Sequence, residues 1–466
     1  MRGRRRGGWG SWLVAVLLGP CALPVAGAND LLQLYHLAQN HDATVQAALA
    51  QRDAAIEAKP QALALLLPQV SANASAQRER LGEQLIAPQT LASTTITGCQ
   101  IAAGAATQVC FGDSHGYGLN LSQTLWSYQS FSQLREASAA AAAAQANLLA
   151  AQQSLILRVA QAYFGVLSAH DALVTNQGAR QSYGSLLNQA RGRQQTGVGP
   201  RSESDQAQAY YDATAQSVID SQNALDDAEL LLSEVTGAPA AMVAALRDTI
   251  PLESPDPASV DDWVSAALKD NPLVRAAQLQ VAAADRDIDV QHGKGLPSVA
   301  LAAGRSRGWG DLTIGGAAAD DQIGLAVTWP LFQGGAVASQ VRQARALWKQ
   351  SLALYAGAQR DAERVTRSSY RGVVTGISRI AAARRGVESY GAAVEASRRN
   401  VEFLPGTGAE FSLLSTQNNY FGAQLLYSQT RYDYLTALLT LKQQAGRLSE
   451  SDLAAIDALL VEHTPP

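Results

Sequence analysis

Apolar positions along this chain switch between two periods. Over residues 29–67 and again over 261–296 they recur every three to four residues, as on an amphipathic helix, and at Pro68 and Pro297 the pattern turns to strict alternation. Proline disfavours helix at the residue before it, so both mark helix-to-strand junctions. In the first alternating segment Val70, Ala72, Ala74 and Ala76 interleave with Ser71, Asn73, Ser75 and Gln77, and Tyr117, Leu119 and Leu121 interleave with Gly118, Asn120 and Ser122. In the second, Val299, Leu301 and Ala303 precede a Gly-rich turn, after which Ile323, Leu325, Val327 and Trp329 interleave with Gln322, Gly324, Ala326 and Thr328. The pattern predicts four two-faced strands. Asp261 or Asp262 is expected to cap the second opening helix, and Asn271-Pro272 to break or restart it.

After each strand pair the chain runs without proline, from Ser127 to Gly199 and from Leu331 to Leu404. Some 70 helical residues would reach roughly 100 Å, more than a globular domain needs. Leu148, Leu149, Leu155, Val159 and Ala162 keep helical spacing and require a packing partner. Turn chemistry at Gln195–Pro200 and Leu404–Gly408 supplies it, because helical pattern resumes from Ser202 to Thr236 and from Ala409 to about Leu460. Each long helix is therefore predicted to fold back as an antiparallel coiled-coil hairpin.

The two halves are copies. Val45-Gln-Ala-Ala48 recurs as Val274-Arg-Ala-Ala277 and Leu67-Pro-Gln-Val70 as Leu296-Pro-Ser-Val299, both at an offset of 229. Tyr163, Gly165, Val166 and Ser182-Tyr-Gly184 recur at an offset of 207, and Gln208 and Gly237 meet Gln417 and Gly446 at 209. The fall in offset places an insert of about 23 residues in the first strand pair. The expected organisation is a signal peptide (1–28), a first repeat (29–237; β-hairpin 68–126, helical hairpin 127–237) and a linker (238–260). A second repeat (261–446; β-hairpin 297–332, helical hairpin 333–446) and a C-terminal segment (447–466) follow.

Composition fits slender packed helices: only 7 of 466 residues are Phe, and Ala and Gln crowd the proline-free stretches. Arg2, Arg4, Arg5 and Arg6, an apolar run from Trp12 to Leu18, and Ala26-Gly27-Ala28 read as an export signal cleaved after Ala28. Cys21 invites a lipoprotein reading, which Pro20 fits badly. Cleavage moves the formal charge from −4 to −8, against a nucleic-acid partner. It leaves Cys99 and Cys110 as the only cysteines of an exported chain, so a disulfide between them is expected in the insert. Zinc and redox motifs need closer spacing or further ligands.

No mature segment carries about 18 consecutive apolar residues. The strands suit either a soluble sandwich or a transmembrane barrel, with Tyr117, Trp126, Trp309, Trp329 and Phe332 near the rims. Four strands cannot close, so a barrel requires several chains, for instance three contributing twelve strands. Six scattered histidines without an i, i+4 pair, no Gly-x-Ser-x-Gly, and a bare Gly293-Lys294-Gly295 argue against an enzyme and against a cofactor or metal. A periplasmic adaptor or coiled-coil scaffold is the alternative, although an adaptor carries one central hairpin and this chain has two.

With these features in order, the chain resembles the TolC family of trimeric outer-membrane channel proteins over its mature length. The resemblance rests on the paired Leu-Pro-x-Val junctions, Ala162-Tyr-Phe-Gly-Val-Leu167, the Gly197-Val-Gly199 and Pro405-Gly-Thr-Gly408 turns, and Arg431-Tyr-Asp-Tyr-Leu435 followed by Leu448-Ser-Glu-Ser-Asp-Leu-Ala454. It implies a mainly α homotrimer with a twelve-stranded barrel in outer-membrane lipid and a helical tunnel in the periplasm. The tunnel's tip would dock on a periplasmic adaptor serving an inner-membrane ABC or RND-type pump, for drug efflux or type I secretion. Adaptor docking would fall on Gly197, Val198, Gly199, Pro200 and Arg201, and on Gly406, Thr407, Gly408 and Ala409. The periplasmic gate would involve Glu203, Phe403, Glu410, Ser412 and Ser415.

Here the chain departs from the family: Ser412-Leu-Leu-Ser415 stands where relatives often have Asp-Val-Leu-Asp, Phe403 replaces a tyrosine, and Gly408 replaces an arginine. Losing a carboxylate ring weakens the expected cation selectivity. Glu203 and Glu410 either restore some of that charge or are solvated acids complementing helix N-termini.

Overall fold

The computed structural model describes residues 30–84, 99–100, 107–239, 243–310, 317–403 and 409–461. The expected signal peptide and the tip positions Gly406, Thr407 and Gly408 lie outside them. The first half runs α1 (Leu31–His41), α2 (Ala43–Ala64), β1 (Gln69–Gln84), β2 (Cys99–Gln100), β3 (Thr107–Ser127), α3 (Tyr128–Gln195) and α4 (Arg201–Thr236). After β4 (Ala245–Leu246) the second half follows: α5 (Val260–Asp270), α6 (Pro272–Gly293), β5 (Ser298–Gly310), β6 (Ala317–Thr328), α7 (Ala336–Phe403) and α8 (Ala409–Gln444). α9 (Glu450–Asp457) and β7 (Leu460–Val461) complete the order. The long helices α3 and α7 have 68 residues each, and the returning helices α4 and α8 have 36 each.

The opening helix expected over 29–67 is two helices. Asp42 ends α1 and caps α2, its carboxylate accepting from the Val45 amide at 2.8 Å and pairing with Arg158 at 2.8 Å. Asn271, which is Asp42 shifted by 229, does the same for α6 by accepting from Leu273 and Val274. The repeat thus includes the break. Gly237 and Gly446 end α4 and α8 at φ 69° and 68°. A Cβ on Gly237 would strike the His41 side chain, and one on Gly446 would strike the Asp270 carbonyl, so both returning helices are seated against the equivalent break. For this reason α8 stops at Gln444 instead of continuing to about Leu460. Ser449 starts α9 with a reciprocal cap to Asp452, and β7 pairs back onto β4 within the linker.

The main core lies where these breaks, α9 and the middle of the long helices meet: Leu31, Leu155, Val159, Tyr163, Val373, Leu439 and Leu453 are fully buried. Tyr163 donates to the Ala244 carbonyl at 2.7 Å and Tyr434 to that of Glu253 at 3.0 Å, tying the linker down. Leu149, expected to pack, is exposed, because the partner helices cover only one side of α3.

The strands form one antiparallel sheet in the order β1-β3-β5-β6, with β2 on β3. Register aligns the two faces across the strands: Val70, Leu121, Ala303 and Ile323 share one row, while Ser71, Asn120, Gly304 and Gln322 share a row on the other face. On the polar face Asn120 donates to Asn73 at 3.0 Å. On the apolar face Ile323, Leu325 and Val327 are 79%, 68% and 69% exposed. Ten residues separate Val299, paired with Trp126, from Trp309, paired with His115. At about 3.3 Å per residue and a tilt of roughly 40°, that spans about 25 Å, the height of an outer-membrane apolar band. Among the described residues no helix is long and apolar enough to cross a membrane.

Candidate gate at the ends of the helical hairpins

The turn from α3 to α4 is built around Arg193. Gly197 takes the left-handed conformation (φ 74°) and donates to the Gln194 carbonyl at 3.1 Å, while Val198 donates to the Arg193 carbonyl at 3.0 Å. This is a Schellman closure, for which Gly at the left-handed position carries no Cβ penalty. Pro200 is the extended N-cap residue of α4, outside the helical hydrogen bonds, so its missing N–H costs nothing. The closure brings Glu203, in the first turn of α4, back over the last turn of α3. The Arg193 guanidinium donates to Glu203 at 3.2 Å and also to Glu410 in the first turn of α8. One cation therefore joins three helices and both hairpins.

Glu203 is only 8% exposed, and the Glu203 and Glu410 side chains are 9% and 12% exposed. Neither is a solvated helix-end acid. Beneath them Ala190, Leu187, Tyr183, Ala207 and Leu414 form a small apolar cluster, joined by Tyr210, Tyr211 and Phe421. Beside the triad, Ser204 donates to Gln194 at 2.6 Å. Within Ser412-Leu-Leu-Ser415 the two leucines are buried at 2% each, Ser412 is exposed and Ser415 half-buried. Phe403 is 76% exposed and Val198 67%. Arg201 is exposed and pairs with Asp205 at 3.5 Å. An open groove of about 760 Å³ lies between the hairpins, lined by Ser182, Ser185, Gln189, Arg193, Arg398, Glu402 and Gln417.

Sequence reasoning missed Arg193. The repeat gave no pointer, because at the 209 offset of the returning helices Glu203 becomes Ser412 and Glu410 corresponds to Arg201. Two acids that are not repeat counterparts thus face one cation. Burial, reinforced by the Glu410 charge and opposed by Arg193, raises the Glu203 pKa above its ordinary 4.5. A raised pKa means that this arrangement binds a proton more tightly than a separated tip does. Its stabilisation is complete below 4.5 and is lost as pH rises through the raised value. Acidification from neutral pH is thus expected to favour the closed tip and lower channel conductance, and Glu203→Gln should flatten that dependence in planar bilayers.

Two strand pairs with a lipid-compatible face, each continued by a helical hairpin some 100 Å long, define the protomer of an outer-membrane channel-tunnel. The model of the outer membrane efflux protein family matches residues 34–238 and 263–447, and the chain belongs to that family. It is an efflux channel protein of the outer membrane, in a family of transport proteins. Outer membrane protein TolC of Vibrio cholerae is 28% identical over 92% of this chain and 94% of its own. The alkaline protease secretion protein AprF of Pseudomonas aeruginosa is 27% identical over 95% of this chain and 89% of its own. The solved Campylobacter jejuni CmeC outer membrane channel superposes with a TM-score of 0.73 at 17% identity, covering 98% of each chain.

Proposed function

We propose that three copies of this chain close a twelve-stranded barrel and a continuous helical tunnel, through which drugs or secreted proteins leave an adaptor-linked inner-membrane pump. The open sheet carries this reading: β1 and β6, of 16 and 12 residues, end the order β1-β3-β5-β6, each with a partner strand on one side only among the described residues. Such edges cannot face hydrocarbon, and closure with further copies removes them. The channel does no chemistry; the pump supplies the energy, and the tip helices open like an iris. Adaptor docking is assigned to the tip turns and the adjoining groove. Detergent-extracted protein should have the mass of three chains and cross-link to a periplasmic adaptor through residues placed at Val198 and Arg201. A detergent-free soluble monomer would refute the proposal.

At the gate, Arg193 offsets one of the two carboxylates in each protomer, and serines occupy the positions of the familiar aspartates. Cation selectivity is therefore expected to be weak. Reversal potentials in planar bilayers should show it, and a strong cation preference that survives Glu203→Gln with Glu410→Gln would contradict it.

In the insert of the first strand pair, Cys99 and Cys110 stand directly opposite in the antiparallel ladder of β2 and β3. That placement supports the disulfide, which would lie near the extracellular mouth and stabilise its loop by about 3 kcal/mol in the chain-entropy model. A membrane-impermeant thiol reagent should label intact cells only after reduction.

A further inference from the structure

Towards its loop end the apolar face of the sheet carries charged side chains. Arg305 and Arg307 alternate with Ser306 on β5, so both point to the same side as Val299, Leu301 and Ala303, the side that faces lipid. Both guanidiniums turn to a single carboxylate: Arg305 lies 3.3 Å and Arg307 3.5 Å from the same oxygen of Asp321 across the β5–β6 pair. Arg78, on the same face, has Asp113 at 3.3 Å. The pair on β5 therefore carries one positive charge beyond its carboxylate, and the Arg305 side chain is 66% exposed.

Charge on this face is costly in hydrocarbon and tolerated near the headgroups. Arg307 falls in the second case, while Arg305, four residues below Trp309 and as far from mid-depth as Ile323, is compensated there by Asp321. Trp309 stacks on His115 at 5.6 Å and meets Tyr117 at 5.7 Å, forming an aromatic group two residues beyond Arg307 on the loop side. With strands tilted by roughly 40°, the arginines sit about 5 to 10 Å below that aromatic level, and their stems can carry the guanidiniums up to it. Two neighbouring guanidiniums beside an aromatic platform match a phosphate on a lipid whose acyl chains cover Leu301, Leu325 and Ile323.

We propose that Arg305 and Arg307 bind the phosphate of a phosphorylated glycolipid headgroup in the outer leaflet. Asp321 holds the two side chains parallel when the lipid is absent. The proposal rests on the barrel reading, and its test keeps the two apart, because failure of the barrel would abolish the detergent-stable oligomer itself.

Native mass spectrometry of the full-length detergent-extracted oligomer would measure retention of an acylated glucosamine disaccharide bearing two phosphates against its dephosphorylated counterpart. The wild-type protein is expected to prefer the phosphorylated lipid by about tenfold, and Arg305→Gln with Arg307→Gln should bring retention to parity while the oligomer persists. Asp321→Asn, which removes the competing carboxylate, should retain the lipid at least as well as wild type. Millimolar inorganic phosphate should not displace it. Parity in the wild-type protein, an unchanged preference in the double variant, loss of retention in Asp321→Asn, or displacement by inorganic phosphate would each overturn the site.

Discussion

Replacing Ile323 by arginine is expected to abolish the outer-membrane oligomer, whereas Gln322→Arg, one residue away, should leave it assembled. Ile323 lies in the row Val70, Leu121, Ala303, well inside the apolar band, and is 79% exposed in one protomer because lipid is its intended neighbour. An arginine on the lipid face near mid-depth costs about 2 to 4 kcal/mol, three times over in the proposed trimer, and unlike Arg305 it would have no Asp321 across the strand to compensate it. Gln322 faces the polar side, where its side chain lies beside Gly304 and Asn120, and arginine there meets water. Heat-modifiable oligomer on gels of outer-membrane fractions reads the result. Equal assembly of the two variants would show that the faces are assigned wrongly.

The second large effect is expected at Arg193. Arg193→Gln leaves Glu203 and Glu410 together above the apolar cluster with no cation between them. Removing one partner of a largely buried ion pair is strongly destabilising, and protonation of Glu203, whose pKa burial already raises, recovers part of the loss. The cheapest escape is separation of α8 from the α3–α4 turn, which opens the tip. Bilayer conductance at neutral pH should rise several-fold, cells should admit large antibiotics, and the rise should shrink on acidification. Conductance identical to wild type would remove Arg193 from the gate.

Much of the fold is written in rare residues rather than in the alanine-rich background. Pro68 and Pro297 mark the helix-to-strand junctions, and period-two alternation carries the strand faces, because a one-residue slip would turn every side chain over. Gly237 and Gly446 were visible as repeat partners, and the fold supplies the reason: each closes against a helix break. The break at Asp42 was hidden because an acid among alanines looks like a solvated surface position. Only its equivalence with Asn271, which proline betrays, exposes it.

The candidate site was legible in its location and not in its electrostatics. Glu203 and Glu410 could be placed near the turns by pattern. Their burial depends on packing between hairpins more than 200 residues apart in sequence, as in the Arg193–Glu410 pair at a separation of 217. A lone arginine near a turn carries no signal of that kind. Likewise the two-residue strands β4 and β7 are too short for any periodicity to announce them.

The two outer strands of the sheet, β1 and β6, are expected to meet those of other copies, and cysteine trapping tests this most directly. In a background with Cys99 and Cys110 replaced by serine, Ala72→Cys on β1 would be combined in turn with cysteine at Ile323, Leu325 or Val327 on β6. Oxidation in the outer membrane is predicted to give, for at least one pair, covalent dimers and trimers with no larger species. Monomer alone at every position, or a ladder that stops at two or continues past three, would contradict the account.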